Sequence, residues 1–290
     1  MSAEPATRRR PERPGPLARA EPPQPQDLVI TLLGSYVHGR HETVWSGGLV
    51  SLLEELGFSN GAARVALTRL VKRGLIVRVR HGRLVHYRMT PRAERVLAEG
   101  DGRIFALGHP RDDGSCWTFL WHQIPEDRRL ERSRLGKRLR FLGFGSLQDS
   151  VWVSPHDHSE DVSKLVADLD VVAFATVFAA RPGAPAGLPA LVARAWDLSG
   201  LLERYEAFDA EFSPFRRRGI ELTDAEAFSV RTRLVHQFRG FAQLDPELPE
   251  ELTPVSRVRD RSVRTFEVLY RGLAPKSQRH FDAVTDAAPR

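Results

Sequence analysis

The sequence predicts a multidomain α+β protein: an N-terminal winged helix-turn-helix, a central ferredoxin-like α/β sandwich and a C-terminal helical domain. Three observations predict it. The chain has 290 residues and 41% apolar content, enough for more than one core. Hydrophobic periodicity changes along it, from helices plus a hairpin, to alternating strands and helices, to helices alone. Basic residues are concentrated: Ser59 to Arg95 holds ten Arg or Lys and one acidic residue, Glu94. The expected boundaries are a disordered tail at 1–25, a winged helix at 26–98, a linker and sandwich at 99–195, a helical domain at 196–275 and a flexible tail at 276–290.

Residues 1 to 25 hold seven prolines and five arginines and too little apolar surface to fold. Asp27 is a plausible N-cap for a first helix over LVITLLGSYV. Trp45 to Leu56 reads as a second helix with Leu49, Leu52, Leu53 and Leu56 inward, stopped by Gly57. Ser59 or Asn60 caps a third, in which Val65, Leu67, Leu70 and Val71 face the core and Gly74 supplies the C-terminal stop. Leu75–Val79 and Leu84–Met89 alternate as strands around a short HGR turn, and Pro91 suits the first turn of another helix.

Gly100 to Gly114 reads as a connection with a short strand at Arg103–Leu107. Beyond it, Trp117–Ile124 (strand), Glu126–Phe141 (helix), Val151–Ser154 (strand), Asp161–Leu169 (helix) and Val171–Ala179 (strand) suggest the sandwich. Pro182–Pro189 is a Pro/Gly/Ala loop. Leu198–Phe212, Ala225–Leu244 and Ser256–Tyr270 are helical, and this third unit is expected to pack on the middle one. The chain after Lys276 is polar and expected to fray.

The third helix and hairpin carry the functional signal. A helix fits the major groove, and guanidinium groups suit guanine edges and phosphates. Arg64 and Thr68 share a face, flanked by Arg69, Lys72 and Arg73. Ser59 and Asn60 open the helix with free N–H groups. Arg78, Arg80, His81 and Arg83 crowd the wing. A solvated charged face is the alternative, and RNA is disfavoured because no aromatic platform accompanies the charges. A short reader gains specificity by duplication, so a homodimer on an inverted repeat of double-stranded DNA is expected.

Net charge is +6 and the isoelectric point about 9.9. A single cysteine, Cys116, excludes an internal disulfide framework and reads as a buried small hydrophobe in CWTFLW. No signal-peptide core and no run of about 18 apolar residues is present, so a cytoplasmic protein, nucleoid-associated when on DNA, is expected. No GxxxxGK[ST] motif and no strand-placed GxGxxG appears, and no serine, histidine and acid series has a hydrolase context.

The stretches LVITLLGSYVHGRHETVWSGGLVSLLEELGFSNGAARVALTRLVKRGLI, GRLVHYRMTPRAERVL, LRFLGFGSLQDSVWVSP, AWDLSGLLERYEAF and RLVHQFRGFAQLDPELPEEL resemble the PaaX family of bacterial transcriptional repressors, from 27 to about 273. The resemblance implies a Cas2-like ferredoxin-like middle domain and a homodimeric repressor released by an acyl-coenzyme A such as phenylacetyl-CoA, with no required cofactor. It implies recognition-helix contacts from Asn60, Arg64, Thr68 and Arg69 and wing contacts from Arg80 and Arg83. The acyl group itself is not readable from these residues.

A second basic cluster, RRLERSRLGKRLRFLGFG, has Leu130, Leu135, Leu139 and Leu142 as its packing stripe. A cationic pocket between the middle and C-terminal units is the default effector site. Its candidate residues are Arg134, Arg138, Arg216, Arg231, His236 and Arg239; a place near DNA and a merely solvated face are the competing readings. Trp152 and Trp196 read as core aromatics. His156 and His158, with Asp157, Glu160 and Asp161, offer metal-ligand types but read as a polar loop and helix start, so no metal site is expected. A Cas2-like metal-dependent nuclease would need gathered carboxylates, yet the strand TFLWHQIPED carries none within it and Asp127 comes later. No catalytic residue is expected. A module binding acidic protein partners remains the other alternative.

Overall fold

A computed structural model describes residues 23–109, 116–181, 187–217 and 220–287. Most of the tail expected at 1–25 and most of the Pro182–Pro189 loop lie outside these residues. The chain divides into two compact units. One comprises, among the described residues, 116–204 and 243–256; the other comprises 23–109, 205–242 and 257–287.

In the second unit the first helix, α1, runs Pro25–Leu32 with Gln24 as its N-cap, three residues earlier than an Asp27 cap would set it. Pro25 occupies the first turn, where its missing N–H costs nothing. The helix loosens into a single π-type turn at Leu33–Val37. A short strand β1 (Val44–Trp45) leads into α2 (Ser46–Glu55), which buries Leu49, Leu52 and Leu53. Helix α3 (Asn60–Lys72) follows. Strands β2 (Ile76–His81) and β3 (Leu84–Met89) pair antiparallel, His81 opposite Leu84, and β1 adds to β3 to give the order β1-β3-β2. Gly82 takes φ +62 at the first central position of the two-residue turn, where a side chain would be strained.

Thr90 caps α4 (Pro91–Ala106) by accepting from the Ala93 N–H. This helix continues to Ala106, into the segment expected to hold a connection and a strand, of which 110–114 lie outside the described residues. Ala93, Leu97 and Ile104 fall on one buried line, and that alignment outweighs Gly100 and Gly102. Arg103 donates Nε and Nη2 to the Ala242 carbonyl at 3.1 and 2.7 Å.

The first unit is a β-α-β-β-α-β arrangement. Strand β4 (Trp117–His122) precedes α5 (Arg129–Phe141); β5 (Gly145–Gln148) and β6 (Val151–Ser154) form a hairpin; α6 (Ser159–Asp168) leads to β7 (Ala175–Ala180). The sheet order is β5-β6-β4-β7, antiparallel throughout, which is ferredoxin-like connectivity. Strand β5 was not anticipated because GSLQ carries almost no strand propensity. It forms because its neighbours fix it: a Cβ on Gly145 would sit 2.7 Å from Ala195 and Trp196, so only glycine allows that approach. Helix α7 (Leu188–Ala195), also unanticipated, packs there, with Trp117, Val153 and Trp196 in one core cluster. Trp152 packs in the other cluster with Leu120, Leu135 and Leu139. Leu130, expected in that stripe, is 65% exposed, because five positions before Leu135 places it about 140° round the helix from the Leu135–Leu139 line. Cys116 is half-buried rather than buried.

The remaining helices are α8 (Leu198–Phe212), α9 (Asp224–Leu244), α10 (Ser256–Gly272) and α11 (Ala274–Asp286). The expectation that this region packs on the middle unit holds for 243–256, where Leu248 joins the Trp117 cluster. Residues 205–242 and 257–287 instead join the N-terminal helices, and Phe228 and Phe281 belong to the same core as Leu32, Leu49 and Leu67.

The tail expected to fray after Lys276 is therefore α11. Its polarity hides one buried line, Ser277, Phe281 and Thr285. Phe281 stacks on Tyr36 at 5.1 Å between centroids, and His41 bonds Asp282 at 3.0 Å. Phe281→Ala should lower unfolding free energy by about 3–5 kcal/mol in denaturant melts. A loss below about 1 kcal/mol would contradict the placement of α11 in this core.

Candidate nucleic-acid interface

Helix α3 is held by its ends and one face. Ser59 accepts from the Ala62 N–H at 3.3 Å. At the other end Gly74, at φ +67, donates to the Val71 carbonyl (2.9 Å) and Leu75 to the Leu70 carbonyl (3.0 Å), the paired bonds of a Schellman stop. Ala63, Ala66, Leu67 and Leu70 are buried.

Val65, expected inward, is 51% exposed, and Val71 is only half-buried. The two alanines take inward positions instead. A helix has room for one buried arc, and periodicity weighted by side-chain size overlooks alanine.

The opposite stripe, at spacings of four, three and four, is Gly61, Val65, Thr68 and Lys72. Arg64 flanks it on one side and Arg69 on the other, both exposed. Arg64 donates Nε to the Asn60 Oδ1 at 2.7 Å, which holds the guanidinium while its two terminal nitrogens stay available. Thr68 donates its hydroxyl proton to the Arg64 carbonyl at 2.9 Å. Ser59, Asn60, Lys72 and Arg73 are exposed, as are Arg78, Arg80 and Arg83 on the β2–β3 hairpin. The residues expected to contact DNA are thus each exposed except Thr68, which is half-buried. His81 and His86 contact each other on the hairpin, with ring centroids at 4.4 Å, and burial followed by the neighbouring His81 lowers the His86 pKa.

The six effector candidates do not fall in one unit. Arg134 and Arg138 lie on α5; Arg134 is exposed and Arg138 sits 4.8 Å over the Phe141 ring. The other four are in the second unit. Arg216 donates to Thr265 Oγ1 at 3.2 Å. Arg231, 3% exposed, donates to the Tyr270 carbonyl and lies over the Tyr36 and Tyr270 rings, so it serves as a core strut. Arg239 donates Nη1 to Thr31 Oγ1 (2.8 Å) and the Asp27 carbonyl (3.4 Å), and lines a cleft between α1, α4, α9 and α10 with Asp101, Phe105, Phe266 and Tyr270. Burial lowers the Arg239 pKa against the pull of Asp27 and Asp101, and burial raises that of Asp101. Sequence spacing could not place this cleft, because it joins helices far apart in the chain.

The PHDHSED histidines have structural duties: His156 Nε2 donates to the Pro246 carbonyl (3.1 Å), and His158 Nδ1 lies 3.3 Å from Asp161. Among the described residues no cluster of three or more metal-ligating side chains forms. Asp127 is exposed on a 3₁₀ turn, Glu126–Arg128, outside β4. Trp152 and Trp196 are buried, donating to His122 Nε2 and the Gly143 carbonyl. No described helix is long and apolar enough to cross a membrane.

Comparison with known proteins adds three domain matches: "PaaX-like protein" over residues 24–93, "PaaX protein central Cas2-like domain" over 110–192, and "PaaX-like protein C-terminal domain" over 196–283. The chain is 31% identical over 266 residues to the transcriptional repressor PaaX of Escherichia coli strain K12, spanning 88% of this chain and 82% of that protein. It also matches the fold of an uncharacterized protein, Rv0674, from Mycobacterium tuberculosis. There the TM-score is 0.51 and the identity 24%, over 89% of this chain and 96% of that one.

Titratable groups with shifted pKa values should make stability depend on pH. Burial, then the Arg239 charge, lowers the His236 pKa, opposed by Asp27. The folded state therefore holds the proton more weakly than the unfolded chain, and stability is lost as pH falls below about 6.5. His122 and His86 act in the same direction and Asp101, with its raised pKa, in the opposite one. Urea midpoints should fall from pH 7.5 to 5.5, and His236→Gln should flatten that slope. An unchanged slope in the variant would reject the assignment to His236.

Proposed function

The chain belongs to the PaaX family, and on that premise we propose that it is a DNA-binding transcriptional repressor. It acts as a homodimer on an inverted-repeat operator and is released by an acyl-coenzyme A such as phenylacetyl-CoA. Residues 25–89 serve as a winged helix-turn-helix: α3 is the recognition helix and the β2–β3 hairpin the wing. The observation that carries this reading is the division of α3 into a buried apolar arc and an exposed arc bearing Arg64, Thr68, Arg69 and Lys72, beside a hairpin with Arg78, Arg80 and Arg83. A relative that aligns over most of both chains is named a transcriptional repressor. The protein is a regulator rather than an enzyme.

Guanidinium groups on the flanks of α3 pair with guanine O6 and N7 or with phosphates, and the wing arginines neutralise the backbone. For the effector, the support is the cleft at Arg239. It has apolar walls for an acyl chain or ring, with Arg239 and the Asp101 carboxyl as its charged groups, and it borders α1, which packs on α3 in a common core. Ligand that binds one arrangement of the readers better than another shifts the dimer between them.

Arg64→Ala and Arg69→Ala should each weaken binding to the enriched operator about tenfold or more in gel shifts, with unchanged melting. Unchanged affinity in both rejects the recognition-helix assignment. Arg83→Ala should weaken specific and random duplexes alike and reduce the salt slope by about 1; equal slopes reject phosphate contact. Phenylacetyl-CoA should dissociate the complex, and Phe105→Ala should need about tenfold more of it while binding DNA normally. No release of the parent protein by any acyl-coenzyme A rejects the effector reading.

A further inference from the structure

The centre of the exposed stripe on α3 carries no charge. Arg64 and Arg69 lie on its flanks, and Lys72 stands at its C-terminal end. Between them are Gly61 and Val65, one turn apart. Among the described residues nothing accounts for either. Val65 leaves half its surface in water on a helix whose buried arc is filled by Ala63, Ala66, Leu67 and Leu70. Gly61 lies within the helix, where glycine carries a cost in stability. A Cβ added there would meet nothing within 4 Å, and its φ is not positive, so neither packing nor backbone conformation requires it. The two residues line a groove with the start of α1, where Gln24, Pro25 and Gln26 lie, and with Arg69. Thr68, the next residue along the stripe, has already donated its hydroxyl proton to the Arg64 carbonyl.

A low apolar floor between cationic flanks suits a duplex whose bases present an apolar group there. In the major groove that group is the thymine C5-methyl. The missing side chain at Gly61 lets the helix approach closely, and Val65 supplies the apolar contact. On one flank the Asn60 bond to Arg64 Nε presets the guanidinium, so that its two terminal nitrogens meet an adjacent guanine end-on. Building on the DNA-binding reading above, we infer that Val65 is a specificity-determining residue that reads a thymine methyl, with Gly61 as the clearance that brings it within contact.

The test uses the full-length chain and duplexes it enriches from a random 20-base-pair pool. Each thymine of the enriched motif is replaced in turn by deoxyuridine, which lacks only the methyl group. At one or more positions the parent protein should bind about fourfold more weakly, the worth of one buried methyl group. Val65→Ala should weaken binding to the thymine duplex by a similar factor and lose its sensitivity at that same position. Gly61→Ala should raise the melting temperature by about 2 °C, as a better helix former does, yet weaken the enriched complex. An enriched duplex insensitive to every deoxyuridine overturns the inference and leaves DNA binding standing. So does a Val65→Ala variant that keeps the parent's sensitivity, or a Gly61→Ala variant that binds like the parent. Failure of the pool to enrich any sequence would remove DNA binding itself, and this inference with it.

Discussion

Burial of Ala63, Ala66, Leu67 and Leu70 against α1 and α2 is the constraint from which the rest of the interface follows. With those four inward, the helix period leaves Gly61, Val65, Thr68 and Lys72 outward, and the Ser59 cap and Gly74 stop fix where the turn begins and ends. Every arginine on α3 is then presented without any hydrogen bond to the core. Arg64 is the exception to free rotation, because Asn60 holds it. Ordering one long side chain in advance lowers the entropy lost when it meets a partner.

The same core reaches well beyond the reader. Tyr36 stacks on Phe281, lies 5.3 Å from Phe228 and bonds Thr232 at 3.0 Å, while Arg231 is set between Tyr36 and Tyr270. Burial raises the Tyr36 pKa despite the Arg231 charge nearby, so the phenol stays neutral and serves as a hydrogen-bonding partner. The N-terminal helices are thus braced by the last helices of the chain. The cleft at Arg239 is lined by residues of α9 and α10 together with α1, which belongs to the core that holds α3. The π-type turn at Leu33–Val37, whose Gly34 and Ser35 line the cleft, is a weak point in the hydrogen-bond ladder there.

Much of the reader was legible in the sequence. A cap at Ser59 or Asn60, a stop at Gly74, a short turn around Gly82 and an excess of arginine all rest on local chemistry; the structure settled the cap on Ser59 and shortened the turn to two residues. Val65 was not legible as an exposed residue, since a valine among leucines reads as core. The length of α4 was hidden by two glycines, and α11 by a polar composition in which a single phenylalanine carries the packing.

By itself the sequence determined which segments turn, cap and alternate, where charge is concentrated, and so the order of helices and strands around the reader. Such properties arise from neighbours within a few residues. Only the tertiary structure decided that β5 completes the second sheet, that the last helices join the N-terminal core, and that Arg231 is a strut while Arg239 lines a cleft. Each of those outcomes depends on groups brought together from up to some 250 positions apart, such as Tyr36 and Phe281. Long-range packing of that kind is set by mutual shape and by burial of polar groups, which no local pattern encodes.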